Sequence, residues 1–226
     1  MATVYYMELI TKMTDASVDQ EHPEILLKSI PDTPDRTAYI IGKSEENPLP
    51  KLLQACKELE NMGADFITIP CVTAQFFYTK LTESVKIPLL SLCGNVAEEI
   101  AKKKIKKVGI LATTGTIESK VLEQNFGENG IETIIPDAIH QEMVMEIIYK
   151  QIKKGQPVQW EQFEKIVEFL YAKGAEKIIL GCTELSLLKK EKKLDNRIVD
   201  VLEVLAQKAV LASGAGLKEE YWDIIQ

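Results

Sequence analysis

Histidine is nearly absent from this chain, with 2 in 226 residues, and its 4 cysteines include no CxxC pair. Structural zinc draws on those residue types at short spacings, so the pattern argues against such a site. Cysteines at positions 56, 71, 93 and 182 also do not form a disulfide framework. Free thiols in a cytoplasmic setting fit better. No apolar run approaches the ~20 residues that a membrane helix needs. A GxxxxGK[ST] phosphate loop is missing as well, which leaves a nucleotide triphosphate site unsupported. The formal net charge of −7 implies no general attraction to nucleic acid or to an acidic membrane. One basic cluster, Lys102, Lys103, Lys104, Lys106 and Lys107, falls at an expected helix end, where cations suit both the dipole and the solvent.

What the chain does have is a 46% hydrophobic and 27% charged composition, enough to build a full core. Its length suits one large domain or two lobes. The stretch Gly174 to Glu184, GAEKIILGCTE, organises the rest. Gly174 ends an amphipathic run of Trp160, Phe163, Ile166, Val167, Leu170 and Tyr171. Ile178 to Leu180 then read as a strand covered on both faces. Cys182 and Thr183 fall just past its carboxyl end, where open α/β sheets place ligands. Gly63 to Cys71, GADFITIPC, nearly copies this unit, with the same glycine-to-cysteine spacing and a following Thr73. A single such cysteine would be read as a small buried residue. Two in matched positions point to function, and the duplication predicts two similar lobes. Their expected extents are residues 1–95 plus 201–226, carrying Cys71, and residues 96–200, carrying Cys182.

Taken in order, the pattern predicts a helix over 2–13, a strand over 24–30 and a proline-rich loop at 31–37. Arg36 on that loop suits either a forked contact to a carboxylate or a surface ion pair. A helix over 49–62 leads to a strand at 65–69, then a helix over 73–85 and a strand at 87–92. Another helix over 96–103 precedes a strand at 107–111. Ala112 to Thr116 follow, where hydroxyls around a glycine at a helix start suit a carboxylate, with Thr113 or Thr114 as the N-cap. Strand 131–135, helix 138–153, strand 178–180, a charged linker at 189–196, strand 197–200 and helix 201–212 complete the chain. His140, near a helix start, reads as a surface residue. Strands alternating with helices predict an α/β fold with parallel sheets flanked by helices.

One thiol from each of two opposed lobes suits a particular reaction. A carbon between them loses a proton to one thiolate and regains one from the other thiol, with inversion. Free cysteine titrates near ~8.5, within reach of the neutral range where acid–base catalysis is efficient. Hydroxyls and backbone N–H groups around a substrate carboxylate would stabilise the carbanion. No cofactor is demanded.

The motifs PDRT at 34–37, PCVTA at 70–74, LATTGT at 111–116 and GCTE at 181–184 resemble those of the aspartate/glutamate racemase family, in its order and spacing. The resemblance spans nearly the whole chain. It implies a cofactor-independent racemase of two α/β lobes, often dimeric, acting on a small-molecule amino acid. Cys71 and Cys182 become the two acid/base residues. Thr73, Thr113, Thr116 and Thr183 would hold the α-amino and α-carboxylate groups. Arg36 and Lys153 match positions that bind the side-chain carboxylate in aspartate-preferring members, with Lys150 and Lys154 as neighbouring competitors for the lysine role.

Three departures accompany the resemblance. Family members usually have Asn after the first cysteine and His two residues beyond the threonine, whereas Val72 and Gln75 stand here. The family also begins with an interior strand and a glycine-rich turn ahead of the helix that here starts at Ala2. The expectation is therefore a natural chain that starts upstream, because omitting that strand leaves neighbours with unpaired backbone. Two other classes remain open at this point. One is a superfamily relative with a different substrate, such as a decarboxylase, isomerase or hydantoin racemase. The other is a silent binding protein that keeps the fold. Cys56 and Cys93 read as packing residues.

Overall fold

A computed structural model describes residues 2–225; the outermost residues of the expected first lobe, 1 and 226, lie outside it. Helix α1 (Ala2–Met13) buries Tyr5, Tyr6, Leu9, Ile10 and Met13 on one stripe. It packs against the C-terminal helix, and Thr14 closes it by donating its hydroxyl to the Ile10 carbonyl at 2.8 Å. Short helix α2 (Arg36–Ile40) and helix α3 (Leu49–Asn61) follow, then α4 (Tyr78–Glu83) and α5 (Leu92–Lys102). Strand β1 (Lys107–Leu111) leads into α6 (Thr114–Glu118) and α7 (Val121–Glu128), and β2 (Glu132–Ile134) into α8 (Ala138–Glu146). Helix α9 (Trp160–Ala172), strand β3 (Lys177–Leu180), α10 (Leu188–Glu191), β4 (Ile198–Asp200) and α11 (Val201–Ala212) complete the order.

The four strands form one parallel sheet in the order β2-β1-β3-β4. All four residues of β3 are buried, as a strand covered on both faces requires. Helices α1, α5 and α11 pack around one core with Val108, Ile110 and Ile179, while Phe163, Ile166 and Leu170 of α9 join Leu180 in another. Gly109 lets α9 sit close: a Cβ there would lie 2.7 Å from Ile178 Cδ1 and 3.0 Å from Leu170.

The duplication is visible in the backbone. Gly63 and Gly174 have φ of +92° and +93°, values that glycine alone adopts without strain. The amides of Gly63 and Ala64 bond to the carbonyls of Glu60 and Leu59; those of Gly174 and Ala175 bond to Tyr171 and Leu170. Both helices thus end in the same double hydrogen-bonded stop. The chain then turns in an extended segment toward a cysteine.

Beyond the helix stop the two copies differ in their pairing. β3 is paired on both sides, but the expected strands at 65–69 and 87–92 meet only at a parallel bridge, Ile67 to Leu89. Ile67 spends its N–H on Pro88 (2.8 Å) and its carbonyl on Leu90 (2.9 Å). In a strand the adjacent residues face the other way, so the polar groups of Phe66 and Thr68 point to the opposite edge. There they have no backbone partner among the described residues. The stretch 24–30, expected as a strand, forms no strand, and Glu24 to Ser29 make no backbone hydrogen bond among the described residues. These two segments border a groove of about 560 Å³ floored by Tyr6, Met7 and Ile10 of α1 and Ala209 of α11.

Other boundaries shift locally. The expected helix at 73–85 begins as a 3₁₀ turn over Thr73–Phe77 before α4. Helix 138–153 changes pitch after Glu146, with a π turn over Ile147–Gln151 and a 3₁₀ turn over Ile152–Lys154, and stops at left-handed Gly155. The charged linker forms one helical turn, α10, anchored by buried Leu188.

Candidate active site

The site collects at the carboxyl ends of β1 and β3. Past β3 the chain turns at Gly181, whose amide bonds to Leu111 of β1 at 2.7 Å, and presents Cys182. Past the first copy, Cys71 sits on an equivalent turn, its carbonyl accepting from Ala74 as that of Cys182 accepts from Leu185. Both cysteines line one pocket together with Arg36, Thr73, Thr113, Lys153 and Thr183. Val72, Asp35, Thr37, Tyr149 and Glu184 complete its wall. The pocket is small, with room for the centre of a water-sized sphere over about 20 Å³, and it is open to solvent on one side.

Thr113 is the N-cap of α6: its hydroxyl accepts from the Thr116 amide at 3.2 Å. The same hydroxyl lies 3.3 Å from that of Thr73 and 3.1 Å from that of Thr116, while Thr73 and Thr116 are 2.9 Å apart. Thr37 donates to Thr113 at 3.1 Å. The result is a buried hydroxyl cluster that joins α2, α6 and the turn after Cys71. Thr116 does not line the pocket; it stands behind Thr73 and Thr113 and orients them. Gly115 permits the contact between α2 and α6, since a Cβ there would fall 2.6 Å from Thr37 Cα.

Two cations line the pocket. Arg36 follows Asp35, which caps α2 by accepting from the Ala38 amide at 2.8 Å. Its Nη1 is anchored to the carbonyls of Thr33 and Pro34, and its Nη2 lies 3.9 Å from Cys71 Sγ. Its interaction with Cys71, and secondarily with Asp35 and Glu184, outweighs burial and raises the proton affinity of the guanidinium. Lys153 is delivered by the change of pitch after α8, with Nζ 3.9 Å from the Tyr149 ring centroid. Burial lowers its affinity for a proton, but Glu184, Tyr149, Cys182 and Asp35 together raise it further. Lys150 instead pairs with Glu146 at the surface; Lys153 and Lys154 both keep much of their surface exposed, and only Lys153 lines the pocket.

Cys182 is 6% exposed, and burial first and then Glu184 push its thiol well above the usual range. Its Sγ donates to Glu184 Oε2 at 3.0 Å. Tyr149 donates to Asp35 Oδ2 at 3.1 Å, and burial raises its phenol. Thr183 donates to the Pro70 carbonyl at 3.1 Å. Asp35, Thr37 and Glu184 lie inside the PDRT and GCTE motifs, so proximity to Arg36 and Cys182 was their signal; Tyr149 had none beyond a helical stripe. Gln75 does not reach the pocket, because its Oε1 accepts from the Leu92 amide at 3.1 Å. His140 stays near the surface, capped by Asp137 and stacked on Phe169. Cys56 and Cys93 are buried outside the pocket.

Fold and pocket together define an α/β protein with two cysteines on one pocket at the carboxyl ends of its parallel strands. Residues 1–209 match the Asp/Glu/Hydantoin racemase family, and the chain belongs to that family. The broad specificity amino-acid racemase RacX of Bacillus subtilis strain 168 is 28% identical over 202 residues, covering 88% of this chain and 86% of that protein. Among solved structures, Picrophilus torridus aspartate racemase superposes with a TM-score of 0.84 at 28% identity, covering 100% of this chain and 94% of the other. An aspartate racemase homologue from Pyrococcus horikoshii OT3 gives 0.73 at 25% identity, with 94% of each chain covered. No helix among the described residues is long and apolar enough to cross a membrane.

Proposed function

We propose that this chain racemises an acidic amino acid, aspartate or glutamate, by a two-thiol transfer at Cα without a cofactor. The carrying observation is that the cysteines of both duplicated units line a single pocket with two cations. One sulfur takes the α-proton as the other supplies a proton to the opposite face. Thr73, Thr113 and Thr183 hold the α-carboxylate and α-ammonium, with Thr116 behind them, and stabilise charge as the carbanion forms. Arg36 and Lys153 receive the side-chain carboxylate, the guanidinium by a forked contact. The two lobes, 1–95 plus 201–226 and 96–200, then contribute one thiol each. The resemblance adds a homodimer and a cytoplasmic setting to this reading.

A second reading, a wider or non-acidic substrate range, draws on Val72. This apolar side chain lines the pocket where the family usually carries an amide, and RacX bears the name of a broad-specificity enzyme. One experiment separates the two: α-proton exchange in D2O followed by NMR, with both enantiomers of aspartate, glutamate and a panel of neutral amino acids. Exchange confined to acidic substrates, with product of inverted chirality, supports the first reading. Exchange across the panel supports the second, and none with any amino acid overturns both.

A further inference from the structure

Cys71 and Cys182 hold matching places in the duplicated unit, yet the groups facing them carry opposite charge. Cys71 Sγ lies 3.9 Å from Nη2 of Arg36, a cation pinned in place by two loop carbonyls. Cys182 Sγ lies 3.0 Å from Oε2 of Glu184. Other charged or titratable groups lining the pocket are Asp35 ahead of α2, and Tyr149 and Lys153 beyond α8. Lys153 favours the Cys182 thiolate, but less than the Glu184 carboxylate opposes it. A guanidinium favours a neighbouring thiolate, whereas a carboxylate at hydrogen-bond distance accepts the proton of a thiol and opposes its loss.

We propose that Glu184 is a positioning residue that keeps Cys182 protonated, so that the empty site carries its proton on Cys182 and its negative charge on Cys71. The proposal rests on the two-thiol reading above and adds an asymmetry to it. For the enantiomer whose α-hydrogen faces Cys71, the Cα–H bond breaks, the proton passes to Cys71 Sγ and the electron pair stays on Cα. That pair takes the proton of the Cys182 S–H bond, whose own electrons remain on sulfur. The site is left with a Cys182 thiolate against the Glu184 carboxylate. This form is disfavoured, and it reverts by one proton leaving Cys71 and one arriving at Cys182 through solvent. The other enantiomer must react with that minor form. Because enantiomers are equal in energy, kcat and KM must differ between the two substrates by a common factor.

The test needs no turnover. Full-length protein without substrate is alkylated with iodoacetamide from pH 5 to 9.5, and each cysteine is followed by peptide mass spectrometry. Burial both slows Cys182 and raises the pH at which its reaction is half-maximal, so the part due to Glu184 is read by comparing the variant with wild type. In wild type, Cys71 is expected to be alkylated first at neutral pH. Glu184→Gln should move the Cys182 midpoint down by a pH unit or more, and Glu184→Asp should retain the wild-type value. An unmoved Cys182 midpoint in folded Glu184→Gln overturns the proposal. Should that variant not fold, equal pH profiles for the two cysteines in wild type overturn it as well. Failure of the racemase reading shows separately, as absence of α-proton exchange. If exchange is present, Glu184→Gln should bring the kcat ratio of the two enantiomers toward one, which loss of packing alone would not do.

Discussion

The hydroxyl of Thr183, beside one cysteine, donates to the carbonyl of Pro70, beside the other. This 3.1 Å bond spans the two duplicated units and fixes the turn that carries Cys182 against the turn that carries Cys71. Replacing Thr183 by Val removes the donor and leaves the carbonyl unpaired, at a cost of about 1–3 kcal/mol. Thermal unfolding should show the loss, and the rate of α-proton exchange should fall more than stability does, because the two sulfurs lose their mutual register.

Single-cysteine variants separate the half-reactions. Cys182→Ser should abolish racemisation yet leave solvent exchange at Cα of the enantiomer that faces Cys71, with retained configuration. Cys71→Ser should abolish racemisation too, with exchange limited to the opposite enantiomer. NMR in D2O with chiral analysis reads both. Full racemisation by either variant would remove the two-thiol mechanism.

Gly115 tests whether the hydroxyl cluster needs the tight contact between α2 and α6. A Cβ there meets backbone, Thr37 Cα at 2.6 Å, so the helices must separate. Gly115→Ala should cost about 1–3 kcal/mol by overpacking and pull Thr37 away from Thr113. Denaturant unfolding gives the first quantity. A KM increase for the amino acid, larger than that from an alanine placed at exposed Gly127, gives the second.

Asp200 sets a pH dependence of stability. It caps α11 and accepts from Ser186 and the Leu202 amide, but it is buried, and burial followed by nearby Glu203 pushes its carboxyl up to about 7. An unfolded aspartate titrates near ~3.9. Between those values the folded state binds more protons than the unfolded one, so this group's stabilising contribution is full at the low end and shrinks as pH rises. The slope is at most about 1.4 kcal/mol per pH unit. Unfolding measured from pH 4.5 to 7.5 should show that decline, and Asp200→Asn should flatten it.

Much of the architecture was legible in the residues. The apolar stripes of α1, α3, α9 and α11 follow a helical period, and β1 and β3 are short apolar runs, β3 lying between Gly174 and Gly181. The repeated GA…C unit placed both cysteines because a helix stop, an extended segment and a turn are all local events. Lys153 was harder to tell from Lys150 and Lys154: the π turn after Glu146 breaks the 3.6-residue period, and only that change of pitch brings Lys153 to the pocket rim. Tyr149 was hidden for the same reason. The strands expected at 24–30 and 65–69 have the right side chains, but ladder pairing needs a partner edge, and composition does not reveal one. Thr116 matched a motif, yet its place behind Thr73 and Thr113 comes from the N-cap geometry of α6.

The open edge at Phe66 and Thr68 bears on the colloidal behaviour of the protein. Amides and carbonyls with no backbone partner among the described residues, beside the apolar side chains of Ile25 and Leu27 at 37% and 49% exposure, form a template on which another polypeptide can lay a strand. Crowded molecules are therefore expected to associate edge to edge before they unfold. The net charge of −7 resists that approach, but its reach contracts to about 8 Å at physiological ionic strength. Salt should thus hasten self-association of a chain whose pocket chemistry it barely touches.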